Sequence, residues 1–141
     1  MKVLRQLHIQ NFRCFRDHSI TFEGTSIAVG KNNAGKSTLV DTLLLLSAVV
    51  NRRGGSFVPP PRWLELPRFK LCLAPSIKHL GLNLTTVFHR YGEPPARITA
   101  TFSNGARVTI YVGREETIYA TIESQGNWVT SPNRFVALSL P

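Results

Sequence analysis

The chain has 141 residues, and 43% of them are hydrophobic, which excludes a disordered polypeptide and allows one modest core. Its net charge of +9 suits an acidic partner such as nucleic acid, unless the chain is the basic piece of a protein whose remainder is acidic. It shows no apolar run of membrane-spanning length, no signal peptide, and only two isolated cysteines, Cys14 and Cys72, so we expect a cytoplasmic protein.

Two short segments near the amino terminus alternate between apolar and polar residues. Residues 3–10 place Leu7 and Ile9 on one face, and residues 18–22 repeat the pattern. Period-two alternation is typical of half-buried strands. We therefore predict two strands, as a hairpin, joined by a turn region at residues 11–17.

Residues 30–37, GKNNAGKS, match the phosphate-loop pattern G-x-x-x-x-G-K-S/T. The apolar residues 26–29 before it predict a short buried strand, and residues 38–50 after it predict an apolar helix. Strand, glycine loop and helix in this order form the structural unit that binds nucleotide phosphates. The alternative is a glycine-rich turn before an ordinary helix.

The phosphate-loop residues have distinct predicted roles. Gly30 and Gly35 allow a tight backbone curl that points N–H groups at an anion, at the positive end of the helix. Lys36, the candidate catalytic residue, reaches the β- and γ-phosphates; Ser37 offers its hydroxyl to Mg²⁺, and Thr38 contacts the α-phosphate.

The predicted helix is apolar on most of its circumference. One face carries Leu39, Leu43, Leu46 and Val50, and Val40, Leu44, Leu45 and Ala48 widen it. A helix of this kind is expected to be covered on most sides, beneath a sheet. Residues 51–55, with two arginines and two glycines, end it.

Residues 52–78 are rich in proline and basic residues, with Trp63 and Phe69 interleaved. Cations that bind phosphates and aromatic rings that stack on bases make this segment the predicted nucleic-acid surface. Its candidate residues are Arg52, Arg53, Arg62, Arg68, Lys70 and Lys78. The alternative is an insertion whose Trp63, Leu64 and Leu66 cover the core.

Four alternating segments predict an antiparallel meander in the second half of the chain. They are residues 82–91, 97–103, 106–112 and 117–123. Asn104-Gly105, between the second and third, is a strong hairpin signal.

The first 50 residues resemble the amino terminus of ABC-type ATPase heads of the SMC, RecF and OLD-like families. The residues that carry the resemblance are Asn11, Phe12, Arg13, Phe15, Gly30, Asn32, Asn33, Ala34, Gly35, Lys36, Ser37 and Thr38. The resemblance implies an α/β P-loop NTPase lobe, with a mixed sheet, an antiparallel meander and one main helix. It also implies ATP and Mg²⁺ as cofactors, and a second ATPase head, in a homodimer, as partner.

By the same resemblance Arg13 lies near the bound phosphates, although a solvent-facing arginine in a turn is the alternative. The full predicted nucleotide-binding set is Arg13, Gly30, Lys31, Asn32, Asn33, Ala34, Gly35, Lys36, Ser37 and Thr38. We expect one domain, a partial ATPase head, with the hairpin, loop and helix in residues 1–50, a basic insertion in residues 51–81 and strands in residues 82–141.

The motifs that hydrolysis needs are missing from this sequence. No apolar strand ends in Asp-Glu, and no Ser-Gly-Gly-type signature is present. We therefore expect this lobe to bind ATP without turnover, in an ATPase that acts on DNA in repair, chromosome handling or phage defence. The alternative function is a nucleotide-gated protein-interaction module that does not bind nucleic acid. A kinase-type enzyme is disfavoured by the leading hairpin.

Overall fold

The computed structural model describes residues 4–13, 15–22, 33–50, 57–67, 69–77, 80–81, 88, 95–103, 105–113, 117–124 and 127–129. These residues contain one helix, α1 (Asn33–Val50), and a short 3₁₀ turn, Arg62–Leu64. Their strands are β1 (Leu4–Phe12), β2 (Phe15–Thr21), β3 (Phe57–Val58), β4 (Cys72–Leu73), β5 (Ala96–Phe102), β6 (Arg107–Val112), β7 (Ile118–Ser124) and β8 (Asn127–Val129).

The amino-terminal hairpin is confirmed. β1 pairs antiparallel with β2, with Leu7 opposite Ile20, and Leu7 and Ile9 are fully buried. The predicted turn at residues 11–17 is too long, because pairing continues to Phe12 opposite Phe15. Both of these aromatic residues have strand-forming side chains that pack against the core, which extends the ladder to the tip of the hairpin.

The described strands form a single sheet with the order β2-β1-β5-β6-β7-β4-β3, and β8 also pairs with β7. The last three strands of the predicted meander are confirmed as β5, β6 and β7, and Gly105 has the positive φ of 84° that its hairpin turn requires. The first predicted meander strand lies mostly outside the described residues; Phe88 forms an isolated bridge to Phe12. All described pairs are antiparallel, and the strand predicted at residues 26–29 lies outside them, so the mixed sheet stays a prediction.

One face of this sheet, which we call the inner face, carries the hydrophobic core. Period-two alternation sends Ile98, Ile110 and Ile122 to this face, where they are fully buried together with Leu45 and Val49 of α1. Burying each such side chain stabilises the fold by roughly 1.5–3 kcal/mol. The core therefore holds the helix that follows the phosphate loop against the sheet.

The structure corrects two predictions about α1. The helix begins at Asn33, inside the motif, rather than at residue 38. It is not covered on most sides by the described residues, because Val40, Leu43 and Leu44 are 56%, 38% and 39% exposed. Leucines on every side of the helix obscure its period, so the sheet, and not the helix sequence, selects which side is buried.

The described residues between 57 and 73 extend the sheet beside β7. They also cover part of its opposite face, which we call the outer face. β3 pairs with β4, and β4 joins the sheet beside β7 through Leu73 opposite Ala120. Between these strands the 3₁₀ turn buries Leu64 and places the ring of Trp63 over Gly113 and edge-on to Tyr119, 6.1 Å between ring centroids. The insertion thus covers the β6–β7 end of the outer face.

Candidate functional site

The phosphate-loop motif leads directly into α1. The backbone of Asn33, Ala34, Gly35 and Lys36 forms the first turn of the helix. Gly30, Lys31, Asn32 and the side chains of residues 33–36 lie outside the described part of the structure, so their contacts with phosphate stay predictions. An anion at this helix start would meet unpaired N–H groups and the positive end of the helix dipole.

Ser37 and Thr38 differ in their surroundings although they are adjacent. Ser37 is exposed, as a hydroxyl that reaches a metal ion must be. Thr38 is 1% exposed, and its carbonyl oxygen accepts a hydrogen bond of 2.8 Å from the hydroxyl of Thr42, which is also buried. The side chain of Thr38 is therefore buried, and its contact with the α-phosphate stays a prediction.

The tip of the β1–β2 hairpin is tied to α1 by an ion pair. Nε of Arg13 lies 3.0 Å from Oδ2 of Asp41, and both side chains are mostly buried. Asp41 follows Ser37 by four residues, which on a helix places the two on one face, about 6 Å apart along the axis. The pair therefore brings Arg13 to within about one helical turn of the predicted metal-binding serine.

Backbone geometry supports this placement of Arg13. Arg13 and Asn11 have positive φ angles of 52° and 56°, a conformation that non-glycine residues rarely adopt. The side-chain amide of Asn11 donates a hydrogen bond of 3.1 Å to the carbonyl oxygen of Pro95, which fixes the hairpin tip to the start of β5. Arg13 is thus partly buried and paired with Asp41 instead of facing solvent, and its position beside bound phosphates stays a prediction.

Asp41 was missed by the sequence reasoning. A signal was present, because Asp41 is the one charged residue between Ser37 and Val50. A lone carboxylate in an apolar helix rarely goes without a partner, and arginine is the side chain best suited to hold one.

The predicted nucleic-acid segment is only partly described. Arg62 is exposed and Lys70 is half-buried, whereas Arg52, Arg53, Arg68 and Lys78 lie outside the described residues. Leu64 is buried, as the covering alternative expects; Trp63 contacts the sheet but is 42% exposed, and Phe69 is 74% exposed. The segment therefore has a structural role at its first half, and its binding role stays a prediction.

A second polar surface, not predicted from the sequence, lies on the open half of the outer face. An open depression of about 420 Å³ is lined by Gln6, His8, Gln10, Arg97, Thr99, Thr101 and Arg107. At its rim Asp17 forms hydrogen bonds with His8 and Gln10, and the bond with His8 is the main cause that lowers the pKa of Asp17. We call this depression the outer-face groove.

Two buried titratable groups, Tyr111 on β6 and Cys72 on β4, have raised pKa values. Burial raises the pKa of Tyr111, and it raises the pKa of the Cys72 thiol to about 11. At neutral pH neither group carries a negative charge, so the Tyr111 ring does not offset the charge of Arg97 beside it.

A phosphate-loop motif that leads into a helix packed on a sheet defines the class of P-loop nucleotide-binding proteins. The chain belongs to the AAA ATPase domain family, which matches it over residues 1–109. This match covers more than half of the chain and includes both the motif and the ion pair.

Three relatives, each called DNA replication and repair protein RecF, are similar to part of the chain. Those of Synechococcus sp. strains JA-2-3B'a(2-13) and JA-3-3Ab are 43% identical over 51 and 53 residues, which are 36% and 37% of this chain. That of Trichodesmium erythraeum (strain IMS101) is 39% identical over 51 residues, 36% of this chain. The matches span only 13–14% of the relatives' length.

The resemblance found in the sequence is thus confirmed: the chain is an amino-terminal, RecF-like ATPase lobe. The described part of the chain contains no helix long and apolar enough to cross a membrane.

Proposed function

We propose that this chain binds Mg²⁺-ATP at residues 30–38, as the amino-terminal lobe of an ABC-type ATPase that acts on DNA. Repair, chromosome handling and phage defence are the settings that such a lobe fits. The observation that carries the proposal is the complete phosphate-loop motif at the start of α1, with Arg13 held one turn away by Asp41. The names of the RecF relatives support the DNA setting.

Each residue of the proposed site has a separate task. The loop amides and Lys36 bind the phosphates, and Arg13 adds a second positive charge from the hairpin. Ser37, which is exposed at the second turn of the motif helix, fits the role of a magnesium ligand because its hydroxyl is free of the core. Magnesium neutralises phosphate charge when it is bound.

ATP hydrolysis would need groups from the other lobe of the same ATPase head and from a second head. Binding draws on the loop and Lys36, whereas turnover also needs an acidic metal partner and a positioned water. A homodimer that encloses two nucleotides would supply these groups.

One observation favours the second candidate, a nucleotide-gated protein-interaction module. Val40, Leu43 and Leu44 form an exposed apolar strip on the very helix that begins at the phosphate loop. A partner on this strip would sense movement of the helix. The two candidates share the nucleotide site and differ in whether DNA is bound.

Replacement of Lys36 tests the shared site. Lys36→Ala removes a charge-assisted contact with phosphate and should weaken Mg²⁺-ATP binding by about 1.5–3 kcal/mol, measured by titration calorimetry. Lys70→Ala, which removes a half-buried lysine outside the motif, is the matched control and should leave the affinity unchanged. Equal affinities for wild type and Lys36→Ala would show that the site is assigned wrongly.

A further inference from the structure

We propose that the outer-face groove is a binding surface for the phosphate backbone of double-stranded DNA. The inference deepens the proposed function and rests on it, because it names the partner and the surface of an ATPase that acts on DNA. It is distinct from the proline-rich segment, whose first half covers the other end of the same face.

The strand register places the lining side chains side by side on three neighbouring strands. Gln6 lies opposite Thr101, His8 opposite Thr99 and Gln10 opposite Arg97, on β1 and β5. On β6, Arg107 lies opposite Thr101. Because side chains alternate along a strand, these residues all point to the outer face, while the residues between them build the core.

No carboxylate lines the groove, although two of its seven side chains, His8 and Gln10, contact Asp17 at the rim. The lining has two guanidinium groups, two carboxamides, two hydroxyls and one imidazole. Such side chains supply most protein contacts with DNA phosphates. Two carboxylates lie nearby. Asp17 forms hydrogen bonds with His8 and Gln10, and Glu123 on β7 lies directly opposite Arg107 on β6.

Both arginines are available to an outside partner. Arg97 and Arg107 are exposed, and among the described residues neither one takes part in an ion pair. The guanidinium of Arg97 lies 5.5 Å from the ring centroid of Tyr111, which is 7% exposed. A buried ring holds the guanidinium plane in place and leaves its N–H edge to an anion.

The spacing of the arginines fits two phosphates and not one. Four residues along β5 and one strand step separate Arg97 from Arg107, which is about 14 Å between their backbone positions. A single phosphate group is too small to bridge that distance, whereas a backbone that follows the groove meets both cations. This favours an extended polyanion over a small ligand.

The lining also favours a duplex over a single strand. No Phe, Tyr or Trp ring is among the seven lining side chains, and the one imidazole, that of His8, is held by Asp17, so the groove offers separated bases no open stacking platform. It offers charge and hydrogen bonds to the backbone alone. Binding should therefore be independent of sequence.

The test is the salt dependence of binding to a fluorescent DNA duplex, measured with the purified protein by anisotropy. Arg97→Gln/Arg107→Gln removes two phosphate contacts and should reduce the log–log salt slope by about 1.8 units. That change corresponds to an approximately twelvefold smaller loss of affinity between roughly 50 and 200 mM salt. Arg97→Lys/Arg107→Lys keeps both charges and should retain most of the slope.

Matched controls separate this surface from general charge and from the nucleotide site. Arg5→Gln/Arg16→Gln removes two exposed cations from β1 and β2 that do not line the groove, and should leave the slope unchanged. An unchanged slope in Arg97→Gln/Arg107→Gln, or an equal loss in the control, overturns the inference. So does equal competition by an acidic polypeptide, which would indicate a protein partner, or tighter binding of single strands.

Nucleotide binding and DNA binding, measured on the same variants, distinguish a wrong groove assignment from a wrong nucleotide-site assignment. Thermal unfolding should show that the groove variant and the control variant with glutamine substitutions both fold, because their four replaced side chains lie outside the core. Arg97→Gln/Arg107→Gln should bind Mg²⁺-ATP as the wild type does, and Lys36→Ala should keep the salt slope for DNA in the absence of nucleotide. Loss of nucleotide binding in the groove variant would contradict the separation of the two sites and with it the inference.

Discussion

Arg13 holds a backbone conformation that costs a non-glycine residue about 1–3 kcal/mol, and its surroundings must therefore maintain it. The ion pair with Asp41 and the neighbouring hydrogen bond from Asn11 to Pro95 are two interactions that do so. Strained residues of this kind cluster at functional sites, and Arg13 lies beside the helix that carries the predicted phosphate loop.

The ion pair predicts a coupled effect on stability. Asp41→Asn and Arg13→Gln should each lower the free energy of unfolding by about 1 kcal/mol, because each removes the same partly screened pair. The double variant should cost no more than the larger single change. Urea unfolding of the four proteins measures this cycle. Costs that simply add would show that the two side chains act independently.

The same four proteins should also separate positioning from phosphate contact. Arg13→Gln should weaken Mg²⁺-ATP binding more than Asp41→Asn does, since the latter leaves the guanidinium in place but less firmly held. Calorimetry at equal magnesium concentrations gives the comparison.

Of the residues at this site, Arg13 was predicted from the resemblance, whereas Asp41 was not, because local sequence does not indicate which distant side chain a carboxylate meets.

The strands show where sequence is informative and where it is not. β1, β5, β6 and β7 were predicted because apolar core residues alternate with residues that are mostly more polar on their other face, which produces a period of two. On the predicted face of α1, Leu39, Leu46 and Val50 are buried, but the expected coverage on most sides was wrong, because leucines lie on all sides and tertiary neighbours decide which are covered. β3 and β4 are two residues each, too short to produce any period.

The contact between the insertion and the β6–β7 end of the sheet leaves no room for a side chain at Gly113. In Gly113→Ala the new Cβ would lie 2.9 Å from two ring atoms of Trp63, so the ring must shift. We expect the free energy of unfolding to fall by about 1 kcal/mol, together with a change in Trp63 fluorescence in a Trp128→Phe background. Trp63→Ala should abolish the cost of Gly113→Ala. An equal cost with and without the indole would locate the strain elsewhere.

At the scale of the whole molecule, the chain has residues suited to hold a triphosphate but lacks the acidic motif that would cleave one. Purified on its own, it should release phosphate from ATP at the background rate, with no increase at higher protein concentration. A malachite-green assay measures this, with Lys36→Ala as the control. Turnover that Lys36→Ala abolishes would mean that a complete active site lies within these residues, with Glu115, Glu116 and Glu123 as candidate ligands.

The joining of hairpin and meander into one sheet is the feature that sequence reasoning did not predict. Alternation identifies strands and a short turn identifies a hairpin, since both are local signals. The pairing of β1 with β5 is a long-range contact, and nothing in the pattern of either strand specifies the other. The order β2-β1-β5 therefore had to come from the structure.

That order has a consequence during synthesis of the chain. β2 can pair with β1 as soon as the hairpin emerges, but β5 begins at Ala96, 84 positions after β1 ends at Phe12. At translation rates of roughly 5–20 residues per second, one edge of β1 stays open for about 4–17 s. An unpaired edge is a template for another strand, so the nascent chain is most prone to pair with a neighbouring copy while it is still on the ribosome.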